Sequence, residues 1–458
     1  MTIPFAFQSN GVTFIERCKG RALIAWEMGL GKSYLALSYA ATHPECFPIV
    51  IVVPASLKYN WEAECVKHFG WRAEVVGGTK PHKTPLPSRP KIVIVNYDVL
   101  GPWLPHLLSL KPGLVIFDEI HYTSGRTTKR AKNSCVLADA VPRVIGLSGT
   151  PMTNRPADLW TPVRIINRTI FPSFYKYAHT HCGAKRKFWG WDFSGASNLE
   201  ELNLKLRPIM SRLRKAEVLK DLPAQQNSVV LLDLPDRKAY EQARDEYLDW
   251  IGDRTPSGLS REEKDKSRGN LFALKHKVAQ LKMPVVYDWI DSFLLGSDEK
   301  IISFGIHRES VVEAIHAKYA NLSSLITGKV IGKHRQLAFD KFLRDKSCRL
   351  LSGNIDAAGV GLYAKGVSNT VFVELPWTPT KIDQGKGRTH GIGRGAKGVP
   401  CQNWFLIAKG TIEEKLLEIL QRKRRVADKV LDAGVTEDPF KLYDELTAML
   451  RAEKKPRR

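Results

Sequence analysis

Glu27-Met28-Gly29-Leu30-Gly31-Lys32-Ser33 follows directly on the apolar run Ala22-Leu23-Ile24-Ala25. A strand that feeds such a loop can cradle phosphates. Its glycines let backbone N–H groups approach a triphosphate, the Lys32 ammonium can reach the β and γ oxygens, and the Ser33 hydroxyl can hold Mg²⁺. Strict phosphate-loop spacing asks for glycine where this chain has Trp26, so the loop alone points to a nucleoside triphosphate and no further. A second apolar run, Leu114-Val115-Ile116-Phe117, ends in Asp118-Glu119-Ile120-His121. Two carboxylates at the C-terminal end of a buried strand can divide the work of hydrolysis. Asp118 would hold Mg²⁺ through water, and Glu119 would orient and deprotonate the attacking water. A third run, Arg143-Val144-Ile145-Gly146-Leu147, ends in Ser148-Gly149-Thr150-Pro151. Doubly wound sheets bind ligands at the C-terminal ends of their strands, which is where all three polar clusters fall.

Those clusters need a parallel sheet beneath them. Short Val/Ile-rich runs at 22–25, 49–53, 92–95, 114–117 and 143–147 alternate with amphipathic stretches, which predicts an open parallel α/β sheet. A second series follows at 300–304, 349–352, 370–373 and 404–407. Between the two, residues 166–295 lack that rhythm, are rich in aromatics and charge, and read as helical at 236–253 and 261–281. The expected organisation is a first lobe over 1–165 that binds the nucleotide and a mainly helical insertion and linker over 166–295. A second lobe follows over 296–430, with an amphipathic helix from Glu413 to about Leu431, then a basic tail over 431–458. With a phosphate loop on the first lobe alone, the second is expected to bring cations to the γ-phosphate. The stretch from Gln384 to Arg394 has them, in Arg388 and Arg394.

The chain has 458 residues, enough for two or three domains, with 43% apolar residues and a formal net charge of +23. Its pI is about 9.7. Such a balance favours a polyanionic partner. The seven cysteines show no metal-ligand spacing and read as reduced thiols of a cytosolic protein. No signal peptide and no membrane-length apolar stretch is found, so the expected setting is cytoplasmic: nucleoid-associated, or the host cytoplasm for a viral chain.

Taken in order, these motifs resemble the superfamily-two helicases, and within them the Swi/Snf-type DNA translocases, over nearly the whole chain. Phe7-Gln8 with Gly11-Val12 is similar to the adenine-reading Q motif, and residues 27–33 to motif I of this family, where the first glycine is normally missing. Val53-Pro54-Ala55-Ser56-Leu57 with Trp61 resembles motif Ia, Asp118–His121 motif II, and Leu147–Pro151 with Asn154-Arg155-Pro156 motif III. Ser303-Phe304 resembles motif IV, Asp356–Leu362 motif V, and Glu374-Leu375-Pro376-Trp377 the approach to motif VI. A narrower likeness lies in the middle region, where Ala184-Lys185-Arg186, Trp189-Gly190-Trp191-Asp192, 194–199, Arg212–Lys215 and Leu222-Pro223 resemble the annealing-helicase branch.

The resemblance implies an α/β chain of two tandem RecA-like lobes that hydrolyses ATP with Mg²⁺ on duplex, forked or branched DNA, as a monomer and as a stripped motor without recruitment domains. It implies ATP contacts from Gln8, Met28, Gly29, Leu30, Gly31, Lys32, Ser33, Asp356, Gly361 and Arg388, with Ser33 and Asp118 on Mg²⁺ and Glu119, Lys32 and Arg388 acting in catalysis. DNA contacts would come from Ser56, Lys58, Trp61, Asn96, Thr327, Gly328, Lys329 and Trp377. Packing is the other reading for Trp61 and Trp377, and solvated charge for Lys58 and Lys329. His121, Ser148, Gly149, Thr150 and Gln384 would couple the two functions. The Trp189/Trp191 pair reads as insertion core ahead of a wedge for branched DNA. One departure stands out: the family's second motif VI arginine falls on Gly391. Arg394 could replace it through the flexible 391–395 loop, Arg388 could suffice alone, or the ATPase is weakened. Two rival readings are a strand-separating helicase of the same superfamily and a DNA-binding scaffold without turnover.

Overall fold

A computed structural model of the chain describes residues 4–79, 81, 90–152, 155–187, 190–193, 195–220, 224–330, 333–358, 364–391, 400–421 and 439–453. The chain divides into two compact units. The first runs to Leu222, and the second takes Pro223 to Val426 and the residues from Asp438.

The strands of the first unit are β1 (Arg21–Ile24), β2 (Ile49–Val53), β3 (Glu74–Val75), β4 (Ile92–Asn96), β5 (Leu114–Asp118), β6 (Arg143–Leu147), β7 (Lys185–Lys187), β8 (Gly190–Asp192) and β9 (Met210–Ser211). Seven of them form one sheet in the order β3-β4-β2-β5-β6-β1-β9. Every pairing in that sheet is parallel. All residues of β2, β4 and β5 are buried. This is why these strands read as unbroken apolar runs: a parallel sheet covered on both faces has no solvent side for polar residues to alternate onto. The pair β7–β8 stands apart as an antiparallel hairpin.

The second unit has β10 (Gln225–Leu232), β11 (Ile301–Gly305), β12 (Ser323–Ile326), β13 (Leu350–Asn354), β14 (Asn369–Phe372) and β15 (Cys401–Ala408), in the order β10-β15-β14-β11-β13-β12. Its pairings are parallel too.

The stretch 166–295, expected as a mainly helical insertion and linker, divides between the two units. Helices Phe174–His181 and Leu199–Leu206 and strand β9 belong to the first unit. β10 and the helices Arg237–Ile251 and Arg261–Gly296 belong to the second. The pattern hid β10 because it is an edge strand with Val229 and Leu231 exposed, so it carries no buried-strand run. The helix from Arg261 continues past its expected end at Leu281, through Pro284, to Gly296. A helical proline costs about 3 kcal/mol. Burial of Met283, Val286 and Ile290 on either side of it offsets that cost.

The stretch 431–458, expected as a basic tail, contains a helix. Pro439–Glu453 is a helix, and Leu442, Leu446 and Leu450, spaced four apart, are buried in the core of the second unit. Among the described residues no helix is long and apolar enough to cross a membrane.

Candidate active site

Strands β5, β6 and β1 are neighbours, and Leu147 of β6 is in register with both Asp118 of β5 and Ile24 of β1. The loops that follow the three strands therefore leave the sheet side by side at one level.

The loop after β1 is anchored by the residue that breaks the strict phosphate-loop spacing. Trp26 is fully buried, its Nε1 donates to Ser211 Oγ at 2.9 Å, and its ring meets Phe7 edge-on at 5.6 Å. Gly29 (φ +82°) and Gly31 (φ +74°) take the left-handed conformation, which a side chain would strain, and Gly31 caps the helix Lys32–Thr42. Lys32 Nζ donates to Trp26 O at 3.0 Å, so the ammonium lies across the loop mouth. Gln8, 4% exposed, accepts from Phe5 N–H at 3.0 Å and donates to Leu30 O at 3.2 Å. An amide has two donors and two acceptor lone pairs, so one of each remains for a ligand. Met28, Ser33 and Lys32 are half-buried around this loop, and Leu30 is buried.

At the end of β5, Asp118 Oδ2 accepts from Trp61 Nε1 at 2.7 Å and Oδ1 from Glu119 N–H at 3.0 Å. Burial raises the Asp118 pKa, and the neighbouring Glu119 carboxylate raises it further. The Trp61 bond and Lys32 oppose the shift without cancelling it. The Asp118 carboxylate and Ser33 hydroxyl are hard oxygen donors that fit Mg²⁺. A cation there would also favour the ionised Asp118 that burial disfavours. Glu119 has φ +49°, a left-handed backbone rare outside glycine and asparagine.

Motifs II and III meet directly. His121 Nδ1 lies 3.0 Å from Ser148 Oγ and 3.3 Å from Glu119 Oε2, and Thr150 N–H donates to the same Ser148 Oγ at 3.1 Å. Burial lowers the His121 pKa to about 4, so the ring is neutral at pH 7. A Cβ on Gly149 would sit 3.1 Å from Met28 Cγ, so motif III also abuts the phosphate loop. Close approaches thus run from Met28 through Gly149 and Ser148 to His121 and Glu119.

The residues expected on DNA divide. Ser56, Gly328 and Lys329 are exposed. Lys58 is half-buried and its Nζ donates to Val76 O at 2.9 Å. Trp61, Asn96 and Thr327 are buried, at 1%, 6% and 2% exposure, and the Trp61 indole donates to Asp118. Trp377 is half-buried against Phe272 (4.8 Å) and Tyr443 (5.6 Å), with Lys275 Nζ 5.3 Å from its ring centre.

In the second unit, Asp356 Oδ1 is paired with Lys381 at 2.5 Å, and Arg388 Nε donates to Gln384 O at 3.0 Å. Gly391 is buried. Gly361, Arg394, Asn154 and Trp189 lie outside the described residues.

A buried cluster lies beside Trp377, and of its members only Glu374 stands in a sequence motif. Glu374, 1% exposed, accepts from Ile306 N–H (2.7 Å) and His307 N–H (2.9 Å), with His307 Nδ1 at 2.6 Å. Burial alone would raise its pKa, but the His307 contacts and Lys275 bring it down to about 2. The available signal was Glu374 itself, two residues past the end of the buried strand β14.

Residues 7–281 match the SNF2-related domain and residues 283–393 the helicase conserved C-terminal domain. Among curated relatives, the chain is 31% identical to the SWI/SNF-related matrix-associated actin-dependent regulator of chromatin subfamily A-like protein 1 of Xenopus tropicalis, over 96% of this chain and 46% of the relative. It is also 31% identical to the DNA annealing helicase and endonuclease ZRANB3 of Mus musculus, over 93% of this chain and 40% of the relative. The chain thus spans about half the length of the curated relatives it matches. Among solved structures, it is similar to the Sulfolobus solfataricus SWI2/SNF2 ATPase core in complex with dsDNA, at 21% identity and a TM-score of 0.44 over 94% of each chain.

Proposed function

The chain belongs to the SNF2-related family, and from that premise we propose that it is an ATP-dependent DNA translocase that hydrolyses ATP on duplex or forked DNA to remodel, rewind or unwind it. The observation that carries this reading is the register of β1, β5 and β6, which sets the loops of Lys32, Asp118 and Ser148 side by side, with His121 between Glu119 and Ser148. Loop amides and Lys32 bind the phosphates. Ser33 and Asp118 hold Mg²⁺, which when bound offsets charge on the phosphoryl oxygens. Glu119 takes the proton of the attacking water, and Gln8 reads adenine through its remaining amide valences. His121, held between Glu119 and Ser148, transmits the state of the nucleotide site to motif III. Arg388 stabilises the transferring phosphoryl charge, with Arg394 as a second contributor and Asp356 and Gly361 as further ATP contacts. Ser56, Lys58, Gly328 and Lys329 contact DNA phosphates, and Trp377 and Gln384 relay that contact.

The test is ATP hydrolysis by wild type and Glu119→Gln with no nucleic acid, single strand, blunt duplex, forked DNA and RNA. Stimulation by duplex or fork that vanishes in the variant supports the reading. Strand displacement from tailed duplex without response to fully paired DNA favours the strand-separating helicase. Gly391 is the observation that favours a scaffold without turnover, and DNA binding with no hydrolysis under any condition would establish it.

A further inference from the structure

Residues 174–187 and 190–193 carry a surface that the ATP site does not use. Helix Phe174–His181 presents exposed Tyr175 and His179, four residues apart and so on one face. The hairpin β7–β8 packs the Trp191 ring against His179, and Phe193 just beyond it meets Tyr175. The Trp191 ring lies 4.2 Å from that of His179 at 77°, and 6.4 Å from Phe193 at 8°, while Phe193 is 6.0 Å from Tyr175. Yet Trp191 remains 44% exposed and Tyr175 58%, so much of the ring area is left to solvent. Antiparallel pairing sets Arg186 opposite Trp191, which puts both side chains on the same face of the hairpin. Lys185 sits opposite Asp192, and the carboxylate of Asp192 is taken by Lys187 at 2.6 Å. Lys176, Lys185 and Arg186 are exposed and make no ion pair among the described residues.

Exposed aromatic rings beside cations that make no ion pair among the described residues fit a polyanion whose monomers are flat. We infer that this surface binds the unpaired bases of single-stranded DNA. Trp191 and Tyr175 stack on bases, and Arg186, Lys185 and Lys176 hold the flanking phosphates. A duplex is the poorer occupant, because its paired bases stack on each other and offer a protein only their edges. The inference rests on DNA being the partner, as proposed above, and extends that reading from the paired to the unpaired strand of a fork.

The test is fluorescence anisotropy of the full chain with labelled oligothymidine and with labelled blunt duplex, at several salt concentrations. Trp191→Ala weakens oligothymidine binding by about tenfold. Trp191→Phe keeps a ring and retains most of the affinity. Arg186→Ala weakens binding by about threefold and flattens its salt dependence. Blunt-duplex affinity and duplex-stimulated ATP hydrolysis stay at the wild-type level in all three. Unchanged oligothymidine affinity in Trp191→Ala with an unchanged circular dichroism spectrum overturns the inference. An equal loss on both DNAs overturns it too. Should Trp191→Ala melt early, Arg186→Glu leaves the rings in place, and undiminished oligothymidine binding by it overturns the inference equally. Failure of every DNA to stimulate wild-type ATP hydrolysis would strike the translocase reading instead, while the oligothymidine titration still reads this surface.

Discussion

The Trp61 indole gives its hydrogen bond to Asp118, the carboxylate proposed to hold Mg²⁺. That bond favours the charged form of a carboxylate that burial and Glu119 both push toward protonation. Removing it must raise the Asp118 pKa further. Trp61→Phe keeps the ring in the core and deletes only the donor, so the acid limb of the ATPase pH profile is expected to move up by about one pH unit, with kcat recovering at higher pH. DNA affinity should not change. A loss of DNA affinity with an unmoved pH profile would return Trp61 to the DNA-contact role. The limb belongs to the carboxylates, because His121 is already neutral above about pH 4. At the same scale, Lys32→Ala is expected to abolish turnover while leaving DNA binding intact, measured by ATP hydrolysis and by anisotropy on blunt duplex.

The helix Arg261–Gly296 organises the second unit, and two of its lysines are buried for different reasons. Lys282 is satisfied: its Nζ donates to both Glu413 oxygens at 2.7 and 2.6 Å and to Leu406 O at 2.8 Å. Lys275 Nζ, 1% exposed at the residue, makes no hydrogen bond and rests on Trp377. Burial lowers its pKa to about 8, against which Glu374 and Glu413 act. The folded state thus disfavours the ammonium. That cost is full below about pH 8 and disappears as pH rises toward 10.5, where the unfolded chain also loses the proton. Lys275→Met is expected to stabilise the protein at pH 7 by on the order of 1–3 kcal/mol, with the gain shrinking between pH 8 and 10 in urea titrations. A gain independent of pH would mean that packing, not charge, is responsible. The C-terminal helix makes the opposite point. Leu446→Ala is expected to cost about 2–5 kcal/mol, as for other leucines removed from a packed core. A loose tail would show no change in the urea midpoint.

For the whole molecule, the charge of +23 governs how it meets DNA rather than how it folds. Phosphate contacts release counterions, so affinity falls steeply as salt rises. Added salt is expected to raise the DNA concentration needed for half-maximal ATP hydrolysis by about tenfold or more between 50 and 200 mM, with the saturated rate little changed. The rate without DNA should stay flat. Equal salt sensitivity of both rates would place the effect in the ATP site and not in DNA association.

Residue order alone carried the motifs, the strands that end in them and the parallel α/β class. Buried parallel strands must be apolar throughout, and phosphate chemistry needs glycine, lysine, hydroxyl and carboxylate at fixed offsets from a strand end. Runs such as Ile49–Val53 were legible for that reason, whereas β10 and the helix Pro439–Glu453 were not: an edge strand and a half-buried helix keep polar residues that read as linker and tail. Only the tertiary structure decided that the middle region divides between two units, since which sheet a segment joins depends on partners distant in sequence, as β10 and β15 show. It alone decided that Trp61 faces a carboxylate. Trp191 was decided the same way, left open to solvent beside Arg186 because a side chain's burial is set by what packs over it and not by its own identity.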